Sequence, residues 1–422
     1  MSGVFKNFGV WIFAAVVFVV LGQVFSDSGF ALTIMSQMGV LIIFSLAYNM
    51  LLGQGGMLSF GHAIYFGLAG YAVAHYLNFV QDGLALAIPV ALIPLLGGVV
   101  GLFFGILIGY VSTRRAGTTF AMISLGFGEM VTALTLILVA FFNGEEGIQT
   151  DRWFDNAPLG ITFGADIEVF YLIAVWCLIC MVGMYALTKT PFGRMSNAVR
   201  DNPQRAEFIG YNMQRVRWQA FALSSFFAGT AGALHAINYE HVGFETVSIA
   251  QSGLVLFMTY IGGVGHFLGP ILGAILITLL NGVLSDLTDA WFLYLGLIFV
   301  AVVVFAPFGL AGLIMMHEPI WKTDIRLLAG MILPYALAIG STIMALAGVI
   351  GLIEILYHVN SPILVAAEMT LYGIEIDSHS VVPWLICAAL AMVGVFLCRK
   401  TFPGMARSWN AAIDEARSRM AR

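Results

Sequence analysis

Long apolar segments separated by short polar ones make up most of this chain. A helix needs about 20 mainly apolar residues to cross the roughly 30 Å hydrocarbon layer of a bilayer. Segments of about this length lie at residues 8–25, 30–52, 57–77, 85–111, 118–141, 166–187, 217–237, 290–306, 327–356 and 381–398. The pattern predicts an all-α, polytopic membrane protein with about ten full spans.

One further apolar stretch, residues 251–284, does not fit a single span. Its first part ends at Gly263 and is too short to cross the hydrocarbon layer, glycines then interrupt residues 262–270, and the apolar pattern resumes to Leu284. Non-helical backbone at membrane depth must be buried in protein or line water. We therefore expect a broken, re-entrant pair of half-helices here.

Composition and charge agree with a membrane protein. Of the 422 residues, 60% are hydrophobic and 10% are charged, whereas about a quarter of the residues in a soluble domain are charged. If the N-terminus lies inside and the spans alternate, 17 of the 18 Lys and Arg residues become cytoplasmic, and Arg152 is the exception. This asymmetry follows the positive-inside rule and predicts cytoplasmic N- and C-termini.

Two glycine-rich clusters, at 53–63 and 262–270, interrupt apolar segments in corresponding parts of the chain. Such interruptions are typical of a translocation pathway, although small residues also let helices pack closely. Polar residues near the clusters favour the pathway. The predicted pathway residues are Gln54, Ser59, His62, Tyr65, Glu129 and His266, and the predicted broken-helix glycines are Gly55, Gly56, Gly61, Gly263, Gly265 and Gly269.

Glu129 stands in the middle of a predicted span, where a carboxylate costs on the order of 2.5–3.5 kcal/mol. It is either a proton or solute site in the pathway or a hydrogen-bonded strut between helices. The strut is the preferred interpretation, because proton-coupled transporters usually carry several such groups and Glu129 stands nearly alone.

A polar, basic segment between Lys189 and Arg217 contains a short predicted helix. Asn202 can cap its start, Pro203 suits the first helical position, and Gly210 can end it in a left-handed conformation. Such a helix between two spans is how a membrane channel would present a docking point to a cytoplasmic protein.

No common catalytic or nucleotide-binding motif occurs in the sequence. The four lysines lack the preceding glycines of a phosphate-binding loop, and no metalloprotease motif or nucleophile elbow is present. We expect no enzyme activity, cofactor or metal in this chain. The basic residues lie in several loops beside the membrane, so anionic lipid explains them better than nucleic acid does.

Four stretches carry a resemblance to a known family. They are GQGGMLSFGHAIYFGLAGY (53–71), TPFGRMSNAVRDNPQRAEFIGYNMQRVRWQAFALSSFFAGTAGAL (190–234), GLVLFMTYIGGVGHFLGPILGA (253–274) and FAPFGLAGLI (305–314). They resemble the LivM-like permease subunits of bacterial branched-chain amino acid ABC importers, over roughly residues 8–318. The resemblance implies a permease domain at 1–318. Residues 319–422 would be an extension with two extra spans and an amphipathic tail on the inner leaflet.

The resemblance also implies partners and a location. A second, homologous permease, two cytoplasmic ATPases that hydrolyse the ATP, and a periplasmic binding protein would assemble with this chain in the bacterial inner membrane. The ATPase coupling residues would be Arg200, Asn202, Pro203, Arg205, Glu207, Phe208 and Gly210, with Ala206, Phe208 and Ile209 filling an ATPase groove.

The expected solute is a branched-chain or other hydrophobic amino acid. Met57, Ala306 and Phe308 depart from residues that are common in the family. Urea, short amides and aromatic acids therefore stay open as solutes. An ion-coupled secondary transporter that uses Glu129 is the alternative mechanism.

Overall fold

The computed structural model describes residues 8–153, 163–285, 288, 290–323, 326–360 and 368–420. The chain divides into two compact units, Met1–Val283 with Ile298–Gly312 and Leu284–Leu297 with Leu313–Arg422. The predicted domain boundary after residue 318 stays a prediction.

The first unit is built almost entirely of helices. They are α1 (Phe8–Val24), α2 (Gly29–Asn49), α3 (Ala63–Gln81), α4 (Ile93–Ser112), α5 (Thr118–Ile137), α6 (Val139–Phe142), α7 (Asp166–Lys189), α8 (Pro191–Asp201), α9 (Pro203–Phe208), α10 (Met213–Tyr239), α11 (Ile249–Gly262) and α12 (Leu268–Leu279). Two π-helical turns, Met50–Gln54 and Leu280–Leu284, extend α2 and α12. Two short strands, β1 (Ile148–Gln149) and β2 (His241–Val242), pair antiparallel.

The remaining helices follow α12 in the chain. They are α13 (Trp291–Phe305), α14 (Gly309–Met315), α15 (Glu318–Thr323), α16 (Arg326–Asn360) and α17 (Val381–Met420). Strands β3 (Glu368–Leu371) and β4 (Ile374–Asp377) form a hairpin between α16 and α17.

The all-α, polytopic fold is confirmed. Among the described residues, eight helices are long and apolar enough to cross a bilayer, and a bent pair, Trp291–Phe305 with Gly309–Ile320, would be a ninth span. Helix α1 covers the first predicted span but is shorter than these. The predicted broken pair is present as α11 and α12. A β-carbon at Gly273 would lie 1.8 Å from the Met258 carbonyl oxygen, so the two half-helices fold back onto each other.

The core of the first unit is the contact between α4 and α10. Glycines recur every fourth residue along α4, at Gly97, Gly101, Gly105 and Gly109, and each faces backbone or side-chain atoms of α10. Small residues at this spacing let two membrane helices approach closely. These glycines serve packing, because they lie inside an unbroken helix.

Arg152, the one exception to the charge asymmetry, is neutralised within the chain. Its guanidinium lies 3.0 Å from an Asp166 carboxylate oxygen and 3.8 Å from one of Glu240. Asp166 begins α7, whereas Lys189 ends it, about 36 Å away at 1.5 Å per residue. Arg152 and the basic loop after Lys189 therefore lie at opposite ends of a spanning helix.

The second unit is organised around α16 and α17. These two helices pack so closely that a β-carbon at Gly348 of α16 would lie 2.2 Å from the Ala391 nitrogen of α17. Helix α17 continues without interruption through Pro403 to Met420. Its last turns bury Ala412 and Ala416 against Ile320 and Met331. The placement of this tail at the inner leaflet stays a prediction.

Candidate functional site

The first predicted break lies between the π-helical turn of α2 and the start of α3. Side chains of neighbouring helices form hydrogen bonds with its backbone. The Tyr48 hydroxyl donates to the Ser59 carbonyl oxygen at 2.8 Å, and the Phe60 N–H donates to Ser124 Oγ of α5 at 3.0 Å. The irregular backbone is therefore held in place within the protein, as its depth requires.

The structure brings the two predicted breaks together. A β-carbon at Gly53 would lie 2.3 Å from Asn49 Oδ1 and 2.7 Å from the Val264 carbonyl oxygen in the turn between α11 and α12. The predicted glycines lie at these two breaks. Gly55, Gly56 and Gly61 are in the first break, Gly263 and Gly265 are in the second, and Gly269 is in the first turn of α12.

A third break, which the sequence analysis missed, packs against the second. The chain bends by 48° between α13 and α14. Gly263, with a φ of 113°, lies so close to this bend that a β-carbon there would be 2.4 Å from the Phe308 carbonyl oxygen. The signal was present in the dipeptide Pro307–Phe308 followed by Gly309, since proline and glycine together mark helix ends.

Three predicted pathway residues, Ser59, His62 and Tyr65, are buried in this conformation. The Ser224 hydroxyl donates to the Ala47 carbonyl oxygen at 2.6 Å, so His62 Nε2, at 3.1 Å from Ser224 Oγ, is the donor in that pair. The imidazole is surrounded by rings, with centroids 5.4–6.3 Å away, from Phe44, Tyr48, Tyr65 and Phe221.

Several buried polar atoms around the first break lack a hydrogen-bond partner among the described residues. They are Asn49 Oδ1, Ser59 Oγ and His62 Nδ1. A buried polar atom without a partner costs about 1–3 kcal/mol. Because native structures contain few such atoms, three near one break indicate a place where polar groups serve more than packing.

Glu129 is exposed on the surface of the single chain, and no hydrogen bond or ion pair to it occurs among the described residues. A strut between Glu129 and another described residue of this chain is therefore wrong. The same face of α5 exposes Thr119, Met122, Gly126 and Ala133. Gly128, beside Glu129, approaches the first break: a β-carbon there would lie 3.4 Å from the Gly61 Cα. His266, in the second break, is half-buried.

The predicted docking helix is observed as α9. Asn202 Oδ1 accepts from the Arg205 N–H at 3.0 Å, Pro203 is the first helical residue, and Gly210 has a φ of 96°. Phe208 is 92% exposed and Ile209 is 71% exposed. Ala206, expected to fill a partner groove, is instead only 3% exposed and packs on Val199 and Val216, because the inner face of so short a helix must cover its own loop.

Arg200, expected to contact an ATPase, reaches the first break, and 37% of its side chain is exposed. Its Nη1 donates to the Gly53 carbonyl oxygen. Helix α8, which precedes α9 and was not predicted, carries Arg200. The loop at residues 190–212, which carries α8 and α9 and is called the docking loop below, is therefore in direct contact with the first break.

Among the residues that the structure describes, no three His, Cys, Asp or Glu side chains come together as a possible metal site. A polar cleft of about 450 Å³ lies at the end of the first unit that carries Arg152, lined by His75, Asn78, Glu146, Gln149 and neighbouring residues.

A polytopic helical fold in which interrupted helices meet is the architecture of membrane transport proteins. The sequence profile of the family described as the permease component of branched-chain amino acid transport systems matches residues 30–308. The chain belongs to this family, whose members are components of transport systems, and it is a multi-pass membrane protein.

Individual relatives differ in the solutes that their names state. The high-affinity branched-chain amino acid transport system permease protein LivM of Escherichia coli K12 is 28% identical over 64% of this chain and 67% of its own length. The autoinducer 2 import system permease protein LsrC of Escherichia coli O9:H4 is 29% identical over 52% of this chain and 64% of its own. The galactose/methyl galactoside import permease protein MglC of Salmonella typhimurium is 26% identical over 65% of this chain and 88% of its own. No solved structure matches the chain.

Proposed function

We propose that the chain is the permease subunit of an importer in which separate cytoplasmic ATPases supply the energy. The observation that carries this proposal is the exposed Phe208 on α9, in a loop that contacts the first break. Phe208 and its neighbour Ile209, both exposed at the end of a short helix in a polar loop, form an apolar patch of the kind that marks protein–protein contacts. Family membership supports the transport role.

The complex that we propose contains four further components and lies in the bacterial inner membrane with both termini of this chain in the cytoplasm. A second, homologous permease would cover the exposed face of α5, since a charged Glu129 facing lipid would be costly. Two ATPases would bind at α9. A periplasmic binding protein would dock at the opposite end, near the polar cleft and the exposed Glu145 and Glu146 beside it.

In this proposal the pathway opens at the two predicted breaks. Gln54, Ser59, His62, Tyr65, Glu129 and His266 would line it, and the structure would represent a form that is closed at the first break. The buried unpaired atoms of Asn49, Ser59 and His62 support this assignment. They would gain partners, from water or from polar groups of the solute, when the break opens.

The solute that we propose is a branched-chain or other hydrophobic amino acid, supported by the LivM relatives. The relatives named for autoinducer 2 and galactose supply a second candidate class, sugars, which the sequence did not indicate.

A thermal-shift measurement on the binding protein that works with this chain separates the two classes. We expect leucine, isoleucine or valine to raise its melting temperature, since a bound ligand stabilises the folded state. Uptake of the same amino acid into proteoliposomes that contain the whole complex should require ATP. If galactose raises the melting temperature and none of the amino acids does, the proposed solute is wrong and the proposed permease role stands.

A further inference from the structure

Helix α8 lies directly on the π-helical turn that opens the first break. Arg200 Nη1 donates to the Gly53 carbonyl oxygen, and Ser196 Oγ donates to the Gln54 carbonyl oxygen at 3.4 Å. The aliphatic part of Arg200 covers Gly56, where a β-carbon would lie 2.7 Å from the Arg200 Cγ. Two consecutive carbonyl groups of the break are therefore bound by one short helix of the docking loop.

These carbonyl groups are available because the helix ends there. The last four carbonyls of a helix have no N–H partner within it. One continuous helix runs from Gly29 to Gln54. Its dipole places partial negative charge at its C-terminal end, at Gly53 and Gln54. A guanidinium is suited to this position, since its donors are charged and fixed in a plane.

Asp201 orients the guanidinium. Its Oδ1 lies 2.8 Å from both Nε and Nη2 of Arg200. With these two nitrogens held by the neighbouring carboxylate, Nη1 is directed to Gly53. The Asp201 side chain is 65% exposed, so its contribution is to geometry more than to stability.

The bound turn also contacts the second break. Gly53 lies between Arg200 on one side and Asn49 and the Val264 carbonyl on the other. A displacement of α8 therefore acts on the first break through a hydrogen bond and on the second through van der Waals contact.

We propose that Arg200 is a positioning residue that connects movement of the docking loop to the first break, through its hydrogen bond to the Gly53 carbonyl. This inference rests on the proposed function. In it, the ATPases move α9, α8 moves with α9 because Ala206 packs on Val199, and Arg200 carries the displacement to Gly53. The role proposed for Arg200 is its contact with Gly53, not a contact with the ATPase or the solute.

The test uses the complete complex in proteoliposomes and compares Arg200→Gln with Arg194→Gln. Both variants remove one cation from α8, but the Arg194 side chain has no hydrogen bond to the first break among the described residues, whereas Arg200 binds the Gly53 carbonyl oxygen. We expect Arg200→Gln to lower ATP-driven uptake by about tenfold, the size of one charge-assisted hydrogen bond, while ATPase binding and ATP hydrolysis persist. The number of solutes carried per ATP should fall accordingly. Arg194→Gln should match the wild type.

Two further variants address folding and geometry. Arg200→Lys should recover part of the uptake, because an ammonium can donate to the carbonyl but cannot be oriented by Asp201 in the same way. Asp201→Asn, at an exposed position, should reduce uptake by a smaller factor with the melting temperature unchanged.

Three results would decide against this role. Full uptake in Arg200→Gln would show that the contact is dispensable. If Arg200→Gln loses ATPase binding as well as uptake, Arg200 is an ATPase contact. If Arg194→Gln loses as much uptake as Arg200→Gln, the effect comes from the loss of charge and not from the contact with Gly53. If instead the wild-type complex shows no ATP-dependent uptake, the proposed function itself fails.

Discussion

Two amphipathic helical segments of this chain, α9 and the tail of α17, have very different surroundings. In α9, only Ala206 packs inward, and Phe208 and Ile209 are exposed. In the tail, Ala412 and Ala416 are buried against Ile320 and Met331, with Trp409 packed beside them. A helix whose apolar face is covered by its own chain needs no partner, whereas adjacent apolar side chains exposed in a polar loop form a patch that favours a protein–protein contact. The comparison therefore supports the proposal that α9 binds a partner, and it shows internal packing in the tail.

The largest expected effect is that of Phe208→Asp. A carboxylate at the exposed tip of α9 cannot enter an apolar groove without a large desolvation cost. Uptake should be abolished and the ATPases should no longer copurify, while the amount of chain in the membrane stays normal. Uptake at the wild-type level would remove α9 as the docking helix.

Ala416→Asp should affect the tail and spare docking. A charge placed at this fully buried position should destabilise the second unit by on the order of 3 kcal/mol. Limited proteolysis between residues 399 and 420 would detect it. ATPase copurification should be unchanged. If the ATPases are lost in this variant while the tail resists proteolysis, the tail is a docking surface and the comparison is wrong.

A smaller effect is expected from the two helix caps of the docking loop. Asn202 and Asn212 each accept one backbone N–H at 3.0 Å, at the starts of α9 and α10. Replacing either by alanine costs about 1 kcal/mol. The six-residue α9 has little other support, so Asn202→Ala should lower uptake severalfold, whereas Asn212→Ala should have little effect on the 27-residue α10. Equal uptake in both variants would show that the start of α9 does not limit coupling.

Local sequence signals predicted the parts of the site that depend on few residues. Asn202, Pro203 and Gly210 predicted α9 because caps act within a single turn. The glycines of the two clusters predicted the breaks for the same reason. The meeting of Gly53 with Val264 could not be predicted, since it depends on how distant helices pack.

The contacts of three residues depend on packing between separate segments and could not be predicted locally. The resemblance implies partner contacts for Arg200 and Ala206, but Arg200 of α8 binds the first break and Ala206 of α9 packs into the loop core. For Glu129 the sequence favours a strut, because proton-coupled transporters usually carry several such groups and Glu129 stands nearly alone. The structure shows no hydrogen-bond or ion-pair partner of Glu129 among the described residues.

The most direct test of the central claim, that separate ATPases drive transport through this chain, uses proteoliposomes that contain the purified chain alone. Solute uptake is followed under proton and sodium gradients, and again after the ATPases, the second permease, the binding protein and ATP are supplied. We predict no uphill uptake in the first condition and uphill uptake in the second. Uphill uptake by the chain alone, driven by an ion gradient, would contradict the account and make it a secondary transporter.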